Sequence, residues 1–492
     1  TGTVVDLLFC CYSATVSLHY PARMFRNFAR VNRSLFRPAN IRKLATATTP
    51  GPQVSVLPNG LTVVSQKVPY ALTATVGVWI DSGSRSETEK NNGVAHFLEH
   101  LAFKGTKTRT QRDLELEIEN IGSHLNAYTS RENTVYYAKT LQPNINHSLE
   151  ILSDILTQSK LTRDAIERER DVIVRESEEV GKMYDEVIFD HLHAVVYKNN
   201  SLGRTILGPI ENIQSIQRED LVNYIGANYK GDRMTLVGTG AVEHDELCEF
   251  ANKSFGNLPK SAIPNVFGKP KSIPTHSLPK FYSDELKIKD HTLGETFMAL
   301  AVEGSSWNSP NYFTALLCQA LSGNWNKSMA IGSESSRFQL DLATGFQGTP
   351  IVNSCMSFST SYIDTGLWGV YIATDGSDNY RLVQIVLDHW ARMKRGDFGD
   401  EQFETAKSQL KNSLLVSVDG TTALAEDIGR QMVNTGKILS PEEVFHQVDL
   451  ITKDNAVEWL NQTLGSKKLG LVALGNEAEK MPAFEEILSQ MV

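Results

Sequence analysis

The pattern of apolar and polar positions predicts alternating strands and helices along one long stretch of the chain, and a second unit of similar size after it. The first stretch covers about residues 53–259. It is followed at 260–285 by a segment rich in Pro, Ser and Lys that lacks hydrophobic periodicity, as linkers do. We therefore predict two domains, residues 45–262 and 286–492, joined by a linker at 263–285.

The two stretches contain similar elements in the same order. Strand-like runs that lead into a polar loop occur at 77–84 and again at 300–306. Apolar runs with glycine turns, each preceded by an amphipathic segment, occur at 235–240 and 469–475. Unrelated α+β domains could share this order of elements, but the similar spacing favours duplication. The predicted fold class is α+β, with two homologous domains of antiparallel-rich sheet backed by helices and facing across a cleft.

One apolar helical run in the first domain carries two histidines and a glutamate. His96 and His100 are four residues apart, so their rings project from the same helix face, which suits two ligands of a tetrahedral zinc ion. Glu99 lies beside them and can accept the proton of a metal-activated water. An H-x-x-E-H pattern arises by chance in about one such chain in fifty, so the motif needs context. Two hydrogen-bonded core histidines are the alternative.

A zinc site of this kind needs a third ligand, and a strong helix predicted at 161–176 can supply it. Glu169 and Glu176 are seven residues apart, which is two helical turns, so both carboxylates face the same way. One of them can coordinate zinc while the other supports a histidine ligand from behind. The second stretch has no histidine or glutamate in its corresponding helical run at 312–319, which predicts a non-catalytic second domain.

The beginning of the chain has the composition of a mitochondrial transit peptide. Asp6 is the only acid among the first 80 residues. Basic residues cluster shortly after it, interleaved with apolar ones: Arg23, Arg26, Arg30, Arg33, Arg37, Arg42 and Lys43. Such an acid-free, arginine-rich stretch predicts that residues 1–44 are a removable targeting peptide. Because Met24 opens the basic run, we expect residues 1–23 to be upstream translation. A disordered basic tail is the alternative.

The remaining composition narrows the function classes. Without residues 1–44 the chain has 41 basic against 56 acidic residues. This balance argues against a nucleic-acid partner and suits a receptor for cationic peptides. No run of about 18 apolar residues predicts a membrane span. The five cysteines are scattered and odd in number, so they predict no disulfide framework.

The motif and its surroundings resemble the pitrilysin/insulysin family of inverzincin metallopeptidases. The likeness begins at about residue 52, and its most specific parts are 96–106, 125–129, 169–193 and 202–209. The resemblance implies one Zn²⁺ per chain, held by His96, His100 and Glu176. It also implies that Glu99 is the general base and that Glu169 supports the ligand set.

The resemblance assigns six further residues to substrate binding. On composition alone, 125–137 is an ordinary strand, Phe103 a core aromatic, and the acids Glu186 and Asp190 a solvated helix face. The family implies that the strand is an edge that pairs with the peptide backbone, and that the two acids hold an arginine before the cut. The implied substrate-binding residues are Phe103, Asn126, Ala127, Tyr128, Glu186 and Asp190.

The function implied by the resemblance is that of a zinc metalloendopeptidase subunit in the mitochondrial matrix. It would remove basic N-terminal presequences from imported proteins, together with an α subunit in a heterodimer. The first alternative is a non-catalytic or dual-function core subunit of the ubiquinol–cytochrome c reductase, respiratory complex III, at the matrix face of the inner membrane. Intact candidate ligands argue against a purely structural role. A stand-alone oligopeptidase is the second alternative.

Overall fold

The computed structural model describes residues 51–262, 278–329, 337–344, 352–376 and 378–491. The predicted transit peptide at 1–44 and most of the predicted linker, 263–277, lie outside the described residues. The first strand of the second half begins at Asp284, one residue before the end of the predicted linker. The domain boundaries themselves stay a prediction.

The first half contains a six-stranded sheet with the order β1-β2-β6-β3-β5-β4. Its strands are β1 (Gln53–Val56), β2 (Thr62–Lys67), β3 (Thr73–Ile80), β4 (His124–Thr129), β5 (Thr134–Leu141) and β6 (Met234–Gly240). Its helices are α1 (Val94–Leu101), α2 (Gln111–Asn120), α3 (Ile145–Gln158), α4 (Arg163–Val180), α5 (Tyr184–Val196), α6 (Ile210–Ser215), α7 (Arg218–Asn228) and α8 (His244–Phe255).

The second half repeats this architecture in a six-stranded sheet with the order β7-β12-β8-β11-β10-β9. Its strands are β7 (Asp284–Lys289), β8 (Thr296–Glu303), β9 (Asn324–Asn326), β10 (Val352–Ser361), β11 (Gly366–Thr374) and β12 (Gly470–Gly475). Its helices are α9 (Tyr312–Ser322), α10 (Arg337–Thr344), α11 (Asn379–Arg395), α12 (Asp400–Val416), α13 (Thr421–Thr435), α14 (Pro441–Asp449), α15 (Lys453–Gly465) and α16 (Phe484–Gln490).

Strand pairing shows that the two sheets share one topology. In the first sheet, β6 pairs parallel with β2 and antiparallel with β3, and β5 lies between β3 and β4. In the second sheet, β12 pairs parallel with β7 and antiparallel with β8, and β11 lies between β8 and β10. The predicted α+β fold with two related halves is therefore confirmed. Within the described residues, no helix is apolar over enough length to cross a bilayer.

Each half contributes one helix that covers the sheet of the other half. Side chains alternate between the faces of a strand, so each sheet has one face toward its own helices and one toward the other half. The outer face of the first sheet packs against α13, where Trp79 and Val237 meet Ile428 and Met432. The corresponding face of the second sheet packs against α5, through a cluster that includes Ile188, Leu192, Ala299, Ala301 and Val472. Both halves therefore need each other to bury their sheets.

A buried ion cluster ties the tip of the β4–β5 hairpin to the second half. The Arg85 guanidinium donates to Glu132 at 2.6 Å and to both carboxylate oxygens of Asp364, at 2.9 and 2.6 Å. Glu132 also accepts from the backbone N–H of Ile363. The three charged side chains are at most 10% exposed. The sequence predicts one strand over 125–137, whereas the structure has a hairpin, in which the Ser130 N–H donates to the Asn133 carbonyl at 2.7 Å.

Candidate metal centre and peptide-binding edge

Helix α1 carries the H-x-x-E-H motif and is anchored at its start by an acid from outside the helix. The helix follows Gly93, whose φ of 104° favours glycine and provides no side-chain cap. Glu87 supplies the cap instead, since its carboxylate accepts from the N–H groups of Gly93 at 2.9 Å and Ala95 at 2.7 Å. Burial raises the pKa of Glu87 to about 7. Sequence reasoning missed this residue because its spacing matches no local capping pattern.

The structure brings the three predicted ligands together. Glu176 Oε2, on α4, lies 2.9 Å from Nε2 of His100 and 3.7 Å from Nε2 of His96. The two imidazole rings are 4.7 Å apart between centroids and nearly perpendicular. One ligand atom from each side chain lies within 4.8 Å of the others. This is the one such group that the described part of the chain contains.

The unsatisfied atoms of this group fit a cation. Glu176 Oε2 is buried and, despite its short distance to His100, has no hydrogen bond of acceptable geometry among the described residues. A buried carboxylate oxygen without a partner is costly, and a divalent ion compensates it. Two imidazole nitrogens and one carboxylate oxygen are a donor set typical of catalytic zinc sites that keep a fourth position open. The residues therefore fit the metal that the motif predicts.

Glu169 lies behind His100, as the two-turn spacing predicts. Its Oε2 is 3.4 Å from Nδ1 of His100, and its Oε1 accepts the ammonium of Lys104 at 2.8 Å. Burial lowers the pKa of His100, but the contacts with Glu169 and Glu176 outweigh burial and raise that pKa to about 9. Burial and the neighbouring His100 lower the pKa of His96 to about 4. Two adjacent ligands thus differ strongly in proton affinity without metal.

Glu99 is positioned as a proton acceptor beside this group. Burial raises the pKa of its carboxyl to about 7, against contacts with Thr129 and His100 that lower it. Its Oε2 is buried and has no hydrogen-bond partner among the described residues. A carboxylate with a pKa near neutrality can both take up and release a proton at physiological pH. Thr129, which sequence reasoning missed, is the last residue of β4.

Strand β4 is the outermost strand of the first sheet. Asn126 and Tyr128 pair with Tyr137 and Val135 of β5. The hairpin register and the alternation of antiparallel hydrogen bonds leave the backbone of Ala127 pointing outward. Its N–H donates to the side-chain oxygen of Asn126 at 2.8 Å, and no described strand lies on this side of β4. The strand therefore presents an open edge that ends at Thr129, beside Glu99.

The other predicted substrate-binding residues are partly occupied by contacts within the chain. Asp190 on α5 is engaged by the Arg131 guanidinium at 2.6 Å, so it is not a free acid. Glu186, one turn earlier, is partly buried, and burial together with Asp190 raises its pKa. Phe103 is partly buried and packs against the core of the first half. Sequence reasoning did not find the partner of Asp190, because Arg131 lies 59 residues away.

Comparison with known proteins agrees with this arrangement. A model of the insulinase family, peptidase family M16, matches residues 62–210, and a model of the peptidase M16 inactive domain matches residues 215–410. The chain belongs to peptidase family M16. Membership makes it a peptidase and implies a metal. The second M16 match is to a domain described as inactive, which agrees with the absence of ligand residues from α9.

Several relatives of this M16 chain are subunits of one peptidase. Mitochondrial-processing peptidase subunit beta of Saccharomyces cerevisiae is 55% identical over 92% of this chain and 98% of its own length. The same subunit of Neurospora crassa is 51% identical over 86% of this chain and 88% of its own, and that of Mus musculus is 42% identical over 90% and 88%. These relatives indicate a mitochondrial location.

A solved structure shares the fold of this M16 chain. It is a chain of "Complex III2 from Candida albicans, Inz-5 bound", with a TM-score of 0.76 and 22% identity over 89% of this chain and 99% of that one. At this identity the likeness concerns the architecture of two related halves. It agrees with the two sheets and their common topology.

Proposed function

We propose that the chain is the catalytic, zinc-binding β subunit of a mitochondrial processing peptidase. It acts in the matrix and removes basic N-terminal presequences from imported proteins. The observation that carries this proposal is the position of Glu99, between the His96–His100–Glu176 group and the end of the open strand β4. A peptide that extended the sheet along β4 would pass directly beside a metal site and a proton acceptor.

The ion and the protein have separate tasks in peptide hydrolysis. His96, His100 and Glu176 would hold Zn²⁺, which acts as a Lewis acid toward water and the scissile carbonyl when it is bound. Glu99 takes the proton of the attacking water and delivers it to the leaving nitrogen. Glu169 keeps the His100 ring oriented through Nδ1, so that Nε2 stays aimed at the ligand group.

Backbone and charge recognition divide the work of binding the presequence. Main-chain pairing at 126–128 accepts many sequences, because hydrogen bonds between strands do not depend on side chains. Glu186 and Asp190 add selectivity for an arginine through charge-assisted hydrogen bonds. Since Asp190 already balances Arg131, Glu186 carries most of this selectivity. Phe103 lines the pocket for the residue after the cut.

An α subunit completes the enzyme. The relatives named above are β subunits, which supports a heterodimer here. The described residues of the second half contain no ligand group of their own, which supports one metal site per chain. The alternative of a core subunit of respiratory complex III has only the shared fold as support. A purely structural subunit would not need three converging ligands and a buried base.

The decisive test replaces the base and keeps the ligands. The chain is mixed with the α subunit of Saccharomyces cerevisiae and Zn²⁺, and cleavage of a fluorogenic presequence peptide is followed. Glu99→Gln should lower kcat by at least about a hundredfold, with the zinc content unchanged. Glu89→Gln, an exposed acid before the same helix, should cleave like the wild type. Full activity of Glu99→Gln would show that Glu99 is not the general base. An inactive wild-type complex that contains zinc would rule out the proposed function.

A further inference from the structure

A carboxylate of the non-catalytic half holds two residues of the first sheet. Glu426 lies on α13, and its Oε1 accepts a hydrogen bond from the hydroxyl of Tyr128 on β4. Its Oε2 accepts the indole N–H of Trp79 on β3 at 3.1 Å. These contacts join residues almost 300 and 350 positions apart in the chain. Glu426 is not part of the candidate metal site, whose ligands all lie in the first half.

Helix α13 has little freedom to move against the sheet. A Cβ atom at Gly429 would lie 2.3 Å from the Trp79 ring, so the helix approaches the indole as closely as a glycine allows. Thr75 of β3 hydrogen-bonds the hydroxyls of both Thr421 and Thr422, at 3.0 Å each. The helix is therefore fixed at its start and along its middle, and the Glu426 carboxylate is held in one place.

The strand that Glu426 contacts is one of the two edge strands of the first sheet. An edge strand is hydrogen-bonded on one side only. The last residue of β4, Thr129, also contacts the proposed base Glu99. Tyr128 precedes Thr129 directly, and its side chain packs with Trp79 and Val135 on the face covered by α13. The hydrogen bond between Tyr128 and Glu426 thus fixes the position of the open edge relative to the sheet and to Glu99.

We propose that Glu426 is a positioning residue through which the non-catalytic half holds strand β4 in place for peptide pairing. This rests on the proposed function, in which β4 pairs with the substrate backbone. The free enzyme thereby has its binding edge already ordered, so that the peptide does not have to order the strand when it binds. The candidate ligands all belong to the first half, so the effect of Glu426 appears in peptide binding.

The test compares three variants that differ in hydrogen-bonding ability. Glu426→Ala leaves the Tyr128 hydroxyl and the Trp79 indole without their acceptor. Glu426→Gln keeps both contacts, because its oxygen accepts from Trp79 while its amide donates to the Tyr128 oxygen. Tyr128→Phe removes only the hydroxyl. Glu401→Ala, which removes an exposed acid of helix α12, is the control.

Two measurements are made on the zinc-loaded chain with its α subunit. The first is KM and kcat for a presequence peptide, and the second is amide hydrogen exchange in 124–129 without peptide. Glu426→Ala should raise KM about tenfold with kcat within about twofold, as expected when the hydrogen bonds to a buried carboxylate are lost. Tyr128→Phe should act in the same direction, and the double variant should be no worse than Glu426→Ala alone. Glu426→Gln should raise KM less than Glu426→Ala, because it keeps both hydrogen bonds without the charge, and Glu401→Ala should resemble the wild type.

Exchange separates failure of this inference from failure of the proposed function. Glu426→Ala should speed exchange about tenfold in 124–129 and leave that of 94–101 unchanged, whether or not the chain cleaves presequences. Unchanged exchange in the strand overturns the inference, as does an unchanged KM in a cleaving enzyme. Multiplying effects of the two single changes would also overturn it, because they would then act independently.

Discussion

Glu169 lies 3.4 Å from Nδ1 of His100, the ring nitrogen that the candidate metal site leaves free. The opposite nitrogen of the same ring lies 2.9 Å from Glu176. Two acids of one helix, two turns apart, thus act on opposite sides of one imidazole. Glu169 also accepts Lys104, so its carboxylate is fixed from two directions. This arrangement predicts a role in metal affinity for a residue that does not bind the metal.

Glu169→Gln should weaken zinc binding by about ten- to a hundredfold, the usual effect of losing the acid behind a histidine ligand. A charged acceptor at Nδ1 makes the ring a stronger donor through Nε2, and a neutral amide does so less. Competition with a chromophoric chelator measures the dissociation constant. Glu167→Gln, which changes an exposed acid of the same helix, is the matched control. Equal affinities for the wild type and Glu169→Gln would contradict the role.

Zinc affinity should rise with pH. Without metal, His100 has a pKa of about 9 and is protonated at neutral pH, whereas His96, with a pKa of about 4, is already neutral. Binding must therefore displace one proton, and the affinity should increase about tenfold per pH unit from about pH 5 until His100 loses its proton near pH 9. Calorimetry in buffers of different ionisation enthalpy counts the released proton. An affinity independent of pH across this range would show that His100 is neutral in the free chain.

Glu186→Gln should reduce selectivity for arginine. In the wild type, replacing the arginine before the cut by alanine should lower kcat/KM about tenfold or more, since a carboxylate-guanidinium bond is lost. In Glu186→Gln the two peptides should differ much less, and cleavage of the alanine peptide should be unchanged. Glu178→Gln, an exposed acid at the end of α4, provides the control. The assignment is wrong if Glu186→Gln keeps the full preference.

Breaking the buried ion cluster around Arg85 should weaken the attachment between the halves. Arg85→Met leaves the carboxylates of Glu132 and Asp364 buried without their cation, which costs about 3–5 kcal/mol in the free energy of unfolding. Urea unfolding followed by tryptophan fluorescence measures this loss. Lys67→Met removes one partner of an ion pair whose side chains are both 52% exposed, so it should cost less than about 1 kcal/mol. Similar losses in both variants would contradict the buried role.

Local sequence was sufficient for the elements that carry the chemistry. The four-residue spacing placed His96 and His100 on one helix, and the seven-residue spacing placed Glu169 and Glu176 on another. The strand-like runs at 77–84 and 300–306 begin within strands β3 and β8, which have equivalent positions in the two sheets, and continue into the loops that follow. These predictions were correct because helix periodicity and short apolar runs are properties of neighbouring residues.

Contacts between distant residues could not be predicted in this way. Helix spacing alone left open whether Glu169 or Glu176 binds the metal, and the family resemblance implied Glu176. The packing of α4 against α1 places the Glu176 carboxylate beside both rings. The same holds for Glu87 at the start of α1, Arg131 on Asp190, and Glu426 beneath β4.

The sequence by itself therefore determined the two related α+β halves, the helices that carry the candidate ligands and base, and the family to which they belong. The tertiary structure alone decided the exchange of α5 and α13 between the halves, the open position of β4 and the buried partners of the acids. The physical reason is that periodicity specifies which face of an element is buried, whereas the identity of the covering partner depends on how the whole chain folds back on itself.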